Sequence, residues 1–321
     1  MPLNTLNTHT MQRPEISVVT PVYKSEKSIE EFATRVINSI SSITDDYEIV
    51  FVNDASPDNS WDIIQKLAQN NPKIKGISLS RNFGQHPAIF CGLQHCQGNV
   101  AIVMDCDLQE DPKYIPQLYN KYKEGFDIIY TFKENRKHAI WKNIATKLFS
   151  YVYNYLIDNK SLSNHESVGS YSLISRKVIN EFLRFKDCQF HYLIILRWLG
   201  FKSSYIKIEH LERKHGKSSY NFKRLFEHAL VAIVFQSDKL LRLNIYIGFI
   251  TASISFILGL IIIMLYFVKG FAPGWPSLFV LILFATGIIL FSLGIVGLYI
   301  GKMFEQTKQR PIFVIDKKIN V

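Results

Sequence analysis

Cysteine is scarce in this chain, and its spacing excludes more than its count does. Cys91, Cys96, Cys106 and Cys188 form no Cys-x-x-Cys pair, which leaves no basis for a disulfide framework or a structural zinc site. Reduced, buried thiols of a cytoplasmic domain are the expectation. The histidines include no His-Glu-x-x-His, so a zinc-protease arrangement is excluded and His210 and His215 read as surface and loop residues. Helix-turn-helix patterning, zinc-finger spacing and an aromatic RNA-binding signature are all missing, so nucleic acid is not an expected partner. A net charge of +10 combined with 48% hydrophobic residues points instead to a membrane surface or an anionic ligand. Met1 to Pro14 has no apolar core and reads as a disordered lead-in, neither signal peptide nor anchor.

Apolar length is what the far end supplies. Leu243 to Val268 and Gly270 to Ile300 are uncharged runs separated by Lys269, each longer than the roughly 20 residues that cross a bilayer as a helix. Two transmembrane helices are therefore expected over 243–301. Lys239 and Arg242 precede the first; Lys302, Lys308, Arg310, Lys317 and Lys318 follow the second, while the connecting loop is almost uncharged. That asymmetry puts both chain ends on the cytoplasmic side of the inner membrane. The division is then a lead-in over 1–14, an α/β domain over 15–219, a juxtamembrane amphipathic helix over 220–242, the spans, and a cytoplasmic tail over 302–321. Gly294, Gly297 and Gly301 give the second span a small-residue face that permits close helix packing and leaves a homo-oligomer open.

From Glu15 onward strands and helices alternate. Ile16 to Thr20, Tyr47 to Val52, Lys73 to Leu79 and Val100 to Met104 are short β-rich runs. Between them, Ser28 to Ile43 carries apolar residues at Ile29, Phe32, Val36 and Ile40, Trp61 to Ala68 forms a second helical stretch, and a Gly-marked helical segment precedes the fourth strand. Repeated units of this length predict a doubly wound, mostly parallel sheet. Ligands of such sheets bind outside the carboxyl ends of the strands. Thr20 and Pro21, Asn53 and Asp54, Ser80 and Arg81, and Asp105 and Asp107 end the four strands, so four exits converge on one nucleotide-sized crevice.

Glycine is missing where two common nucleotide folds require it. The turn after Thr20 is Pro21-Val-Tyr-Lys-Ser25, with neither the G-x-G-x-x-G of a dinucleotide fold nor a P-loop. Diphosphate charge must then be met by basic side chains and a cation. Asp105 and Asp107 fall on one side of an extended backbone, and their hard oxygen donors suit Mg²⁺ or Mn²⁺.

Val18-Val-Thr-Pro-Val-Tyr23, Phe51-Val-Asn-Asp-Ala-Ser56, Leu79-Ser-Arg-Asn-Phe-Gly84, Met104-Asp-Cys-Asp-Leu-Gln109 and Arg213-x-x-Gly216-x-Ser218-x-Tyr220 follow in order and lead into the apolar runs. This series resembles the family 2 glycosyltransferases of the dolichol-phosphate mannose synthase type, and more closely the bacterial polyprenyl-phosphate glycosyltransferases. The resemblance implies a GT-A fold, a UDP- or GDP-linked sugar donor, a divalent cation and a polyprenyl (undecaprenyl) phosphate acceptor. By position, Thr20, Pro21, Tyr23 and Asp54 would bind the nucleoside and Arg81 would support that pocket. Asp105, Asp107 and Gln109 would hold ribose or the metal-diphosphate, and Arg213 and Ser218 would meet phosphate of donor or lipid.

One segment departs from the pattern. Relatives often show Asp-x-Gly-Asp-Phe where this chain has Ser167-Val-Gly-Ser-Tyr171, so the acidic candidates for orienting the acceptor are both serine, with Glu166 alongside. A lipid phosphate tolerates that loss, because its second pKa is near ~6 and it is a ready nucleophile at neutral pH. Asp107 and Arg213, aligning and stabilising the departing diphosphate, then carry the catalytic expectation, with inversion at the anomeric carbon.

Ile140, Ile144, Leu148, Val152 and Tyr155, interleaved with Lys142 and Lys147, predict a basic amphipathic helix, and Phe222 to Leu241 a second. Two other classes stay open: a membrane-anchored binding or regulatory protein with a degenerate transferase domain, and a glycan-elongating synthase. Against the latter, the chain has no Gln-x-x-Arg-Trp motif. Which sugar is transferred is not written in these motifs.

Overall fold

The computed structural model describes residues 13–133, 168–186, 191–209, 239–269 and 274–321. Contacts divide the chain into two units, one of 1–137, 164–217 and 310–321, the other of 138–163 and 218–309.

The first unit is built on an eight-stranded sheet. Its strands are β1 (Ile16–Val22), β2 (Tyr47–Asn53), β3 (Ile74–Leu79), β4 (Val100–Val103), β5 (Ile128–Lys133), β6 (Val168–Ser175), β7 (Ser203–Ile208) and β8 (Ile315–Ile319), in the order β7-β5-β6-β4-β1-β2-β3-β8. β6 and β8 run against the other six, so the expected mostly parallel sheet is present with two antiparallel insertions. Strand β2 is buried along its whole length, as a central strand covered on both faces must be. Alternation sends Val18, Ile49, Phe51 and Ile102 to one face and Val19, Val50, Val52, Ala101 and Val103 to the other.

Helices cover both faces. On one, α1 (Ile29–Ile40) buries Ile29, Phe32, Ala33, Val36 and Ile40, a single stripe at helical spacing. With it lie α2 (Ser60–Asn70) and α4 (Ile115–Lys123). The other face is covered by α3 (Gln85–His95), α5 (Arg176–Phe182) and α6 (Tyr192–Leu199). Helix α3 approaches the sheet closely through Gly92, where a Cβ would collide with Val19. The chain passes from β3 across the sheet to β4, leaving β1 between β2 and β4. That reversal of strand order opens a crevice at the carboxyl ends of β1 and β4.

The segment expected as a cytoplasmic tail over 302–321 is not wholly a tail. Ile315–Ile319 pairs antiparallel with β3, placing Gly76 opposite Ile319 and Ile77 opposite Lys318. Asn320 Nδ2 donates to the carbonyls of Ala68 at 2.6 Å and Ile74 at 2.9 Å, and Ser80 N donates to Val314 O at 2.9 Å. Ile312, Phe313 and Ile315 join the core on the α3 face. The α/β unit therefore does not end at residue 219: it includes this late strand.

The second unit contains α7 (Lys239–Lys269) and α8 (Trp275–Thr307). Pro276 stands in the first turn of α8, where its missing N–H costs nothing. Ser292 Oγ donates to Asn244 Oδ1 at 2.8 Å, joining the two helices through a polar pair among apolar neighbours. Among the described residues one helical stretch, Phe284–Thr307, is long and apolar enough to cross a membrane. Two spans were expected over 243–301. In α7 the described apolar stretch, Leu241–Thr251, is shorter, so among the described residues one helix and not two has the length and composition of a span. The basic amphipathic helix expected over Ile140 to Tyr155 lies outside the described residues, as does that over Phe222 to Leu241 except its last three positions.

Candidate active site

The crevice at the β1–β4 switch point is lined by Pro21, Val22, Tyr23, Ser25, Asp54, Asn82, Gly84, Gln85, Asp105, Cys106 and Asp107 and encloses about 260 Å³. A second cavity of about 400 Å³ adjoins it, shares Ser25 and Asp107, and is bounded by Lys24, Lys27 and Asp58 among others. Together they reach the size usual for small-ligand sites, roughly 300–1,000 Å³.

Strand β1 brings Pro21 and the exposed Tyr23 to this crevice. Thr20 is fully buried beneath it, and its hydroxyl has no hydrogen-bond partner among the described residues. Asp54, at the end of β2, lines the crevice but is itself buried. Its two carboxylate oxygens accept Phe83 N at 2.7 Å and Gly84 N at 2.8 Å. Burial raises the Asp54 pKa in spite of those two donors and the Arg81 charge. The group expected to read the nucleoside thus holds the loop after β3 in place. That loop turns into α3 at Gly84, whose φ of 100° is open to glycine.

Arg81 is not part of the lining. It is exposed and stacks on Phe83, 4.1 Å from guanidinium to ring centroid. Asn53 is buried, donating to Ser78 Oγ at 3.1 Å.

The backbone leaves the extended conformation after β4 and turns at Cys106 and Asp107, so the two carboxylates reach the crevice from a turn and not from an alternating strand; Cys106 borders the crevice between them, its buried thiol 4.0 Å from Ser28 Oγ. Burial pushes that thiol up to about 12, which excludes it as a nucleophile at neutral pH. Asp107 Oδ1 accepts Gln109 N at 3.1 Å across a turn in which Leu108 takes a φ of 59°. Gln109 meets Asp107 through its backbone, and it does not line the cavity. Asp105 Oδ1 accepts Gln85 Nε2 at 2.6 Å.

Gln85, Asn82, Gly84 and Ser25 are lining residues that the strand-exit argument did not single out. Next to Gln85 in the chain, His86 packs against His191 with ring centroids 4.0 Å apart and planes tilted by 39°. Burial, with His191 opposite, pulls His86 down to about 4, and burial with Arg197 lowers His191.

Glu166, Ser167, Arg213 and Ser218 lie outside the described residues. Ser170, the other serine of the altered segment, is half-buried in β6. Among the described residues no group of three or more His, Cys, Asp or Glu forms a metal cluster. Asp105 and Asp107 are the crevice carboxylates that could hold a cation, and two carboxylates fit a hard ion that shares its coordination with phosphate and water.

A solved structure of glucosyl-3-phosphoglycerate synthase from Mycobacterium tuberculosis is similar at TM-score 0.46 and 17% identity, over 69% of this chain and 78% of that one. So loose a likeness says nothing about ligands. Sequence relatives are nearer. A prophage bactoprenol glucosyl transferase homolog of Escherichia coli (strain K12) is 34% identical over 94% of this chain and 99% of its own. An uncharacterized glycosyltransferase, YkcC, of Bacillus subtilis (strain 168) is 32% identical over 96% of this chain and 95% of its own. The description Glycosyl transferase family 2 matches residues 17–183, the stretch that holds all four strand exits and both carboxylates. The chain belongs to glycosyl transferase family 2.

Proposed function

We propose that this glycosyltransferase moves a hexose from a nucleotide sugar to a polyprenyl phosphate at the cytoplasmic face of the membrane, with inversion. The observation that carries the reading is the opening of Asp105 and Asp107 onto one crevice in a chain that also holds an apolar helix at Phe284–Thr307. The relative named for bactoprenol glucosyl transfer matches nearly the whole length, apolar helices included, and supports lipid phosphate as acceptor and glucose as the first sugar to test.

The chemistry follows from charge. An oxygen of the lipid phosphate attacks the anomeric carbon while the bond from that carbon to the diphosphate oxygen breaks. The phosphate is already anionic near neutral pH, so no side chain needs to remove a proton, and serine at 167 and 170 is tolerated. Mg²⁺ or Mn²⁺, held by Asp105 and Asp107, would neutralise charge developing on the leaving diphosphate. Tyr23 and Pro21 border the nucleoside, and Asp54 keeps the 83–84 backbone against it. Arg213 and Ser218 are assigned to phosphate, and Glu166 to orienting the acceptor.

The expected product is a lipid-linked monosaccharide. Detergent-purified full-length chain, undecaprenyl phosphate, Mn²⁺ and UDP-glucose, followed by thin-layer analysis of the lipid, check it. No lipid product with UDP-glucose, UDP-N-acetylglucosamine or GDP-mannose would sink the reading.

Topology supports a second crossing. Strands before residue 209 and the strand Ile315–Ile319 belong to one sheet, so an even number of crossings must separate them. If Phe284–Thr307 is one, another lies earlier, and α7 carries exposed Phe249, Ile254 and Phe267 suited to lipid. A Gly274→Cys chain in intact cells should react with a membrane-impermeant maleimide. Reaction only after permeabilisation would overturn the two-span topology.

A further inference from the structure

The two carboxylates of the crevice are held by different means. Asp107 is fixed by its own turn, through Gln109 N at 3.1 Å. Asp105 is held from another element, by the side-chain amide of Gln85, the first residue of α3, at 2.6 Å. Gln85 is itself well placed to act as a strut. Gly84, just before it, is anchored to Asp54 through its N–H at 2.8 Å, and His86, just after it, packs against the ring of His191. Its own side chain is exposed in the crevice and belongs to no hydrophobic cluster.

The chemical type matters. An amide N–H orients a carboxylate without cancelling its charge, whereas a lysine there would form an ion pair and compete with a cation for the same oxygens. Outer partners of metal-binding carboxylates commonly control affinity in this way.

We propose that Gln85 is a positioning residue of the cation site, holding Asp105 in the orientation that a divalent ion needs while not touching the ion. This rests on the reading of Asp105 and Asp107 as the cation donors. Its test separates the two claims by measuring Mn²⁺ binding and not turnover. Free Mn²⁺ is followed by electron paramagnetic resonance during titration of the full-length chain, alone and with UDP. Gln85→Ala and the near-isosteric Gln85→Met should each weaken Mn²⁺ binding by roughly 10–100-fold, with the melting temperature unchanged, and Gln85→Lys should weaken it further. Asp107→Asn is the reference. If wild type binds no Mn²⁺, or Asp107→Asn binds as wild type does, the cation reading fails and the proposal with it. If Asp107→Asn loses Mn²⁺ but Gln85→Ala and Gln85→Met stay within about threefold of wild type, an effect too small for an outer-sphere partner, the positioning role alone is overturned.

Discussion

Replacing Asp107 with asparagine is expected to lower sugar transfer by on the order of 10³-fold, the scale of losing one preorganised electrostatic contact to a developing charge. Asp107 and Ser25 line both cavities of the site, and of the two only Asp107 carries a charge to meet ligand from either. The exchange keeps shape and a turn acceptor for Gln109 N, and the position lies outside the core clusters, so the fold should survive. Initial rates of lipid-product formation, with a melting curve as control, measure the effect. Excess EDTA should reproduce the loss in the unsubstituted chain. Undiminished transfer in either experiment would remove the cation from the mechanism and leave the diphosphate to basic side chains alone.

Ending the chain after Arg310 should unfold or severely destabilise the α/β unit. The cut removes strand β8 together with Ile312, Phe313, Ile315 and Ile319, all packed on the core clusters. A fully buried side chain of this size is worth about 1.5–3 kcal/mol. Allowing for partial burial, the four sum to roughly 4–6 kcal/mol, comparable with the whole stability of an ordinary domain, about 5–15 kcal/mol. Melting in detergent should fall by roughly 10–20 °C, or soluble protein should be lost. Asn320→Ala, which removes only the donor to Ala68 O and Ile74 O, should cost about 1 kcal/mol. A truncated chain that melts within a few degrees of the full one would show that β8 is dispensable. The cut also strips Ser80 N of its acceptor on Val314, immediately before the loop that enters the crevice, so surviving protein should bind donor poorly.

The parts of this architecture that were legible in the sequence are those whose signal is local. Helix α1 announces itself because Ile29, Phe32, Val36 and Ile40 recur at the period of a helix, and all four are buried. Asp105 and Asp107 were assignable to the ligand end because they directly follow the apolar run of β4, although the backbone turns at 106–107 and does not stay extended. Strand β8 was not legible, because Ile315-Asp-Lys-Lys-Ile319 has three charged residues in five. Only the two end isoleucines needed burial, and Lys317 and Lys318 read as flanking charges of a membrane span. Arg81 and Gln109 stand outside the crevice lining for a related reason: a position after a strand says that a residue is near the ligand end, not which way its side chain turns.

What the sequence by itself determined is the family, the alternation of strands and helices, the converging strand exits, the acidic pair and the apolar C-terminal length. Each follows from periodicity or from motifs spanning a few residues. Tertiary structure alone decided that Asp54 braces the 83–84 backbone, that Gln85 reaches Asp105 from 20 residues away, and that the end of the chain closes the edge of β3. Those are contacts between segments distant in sequence, whose geometry is set by how helices and strands pack, and no local pattern encodes it.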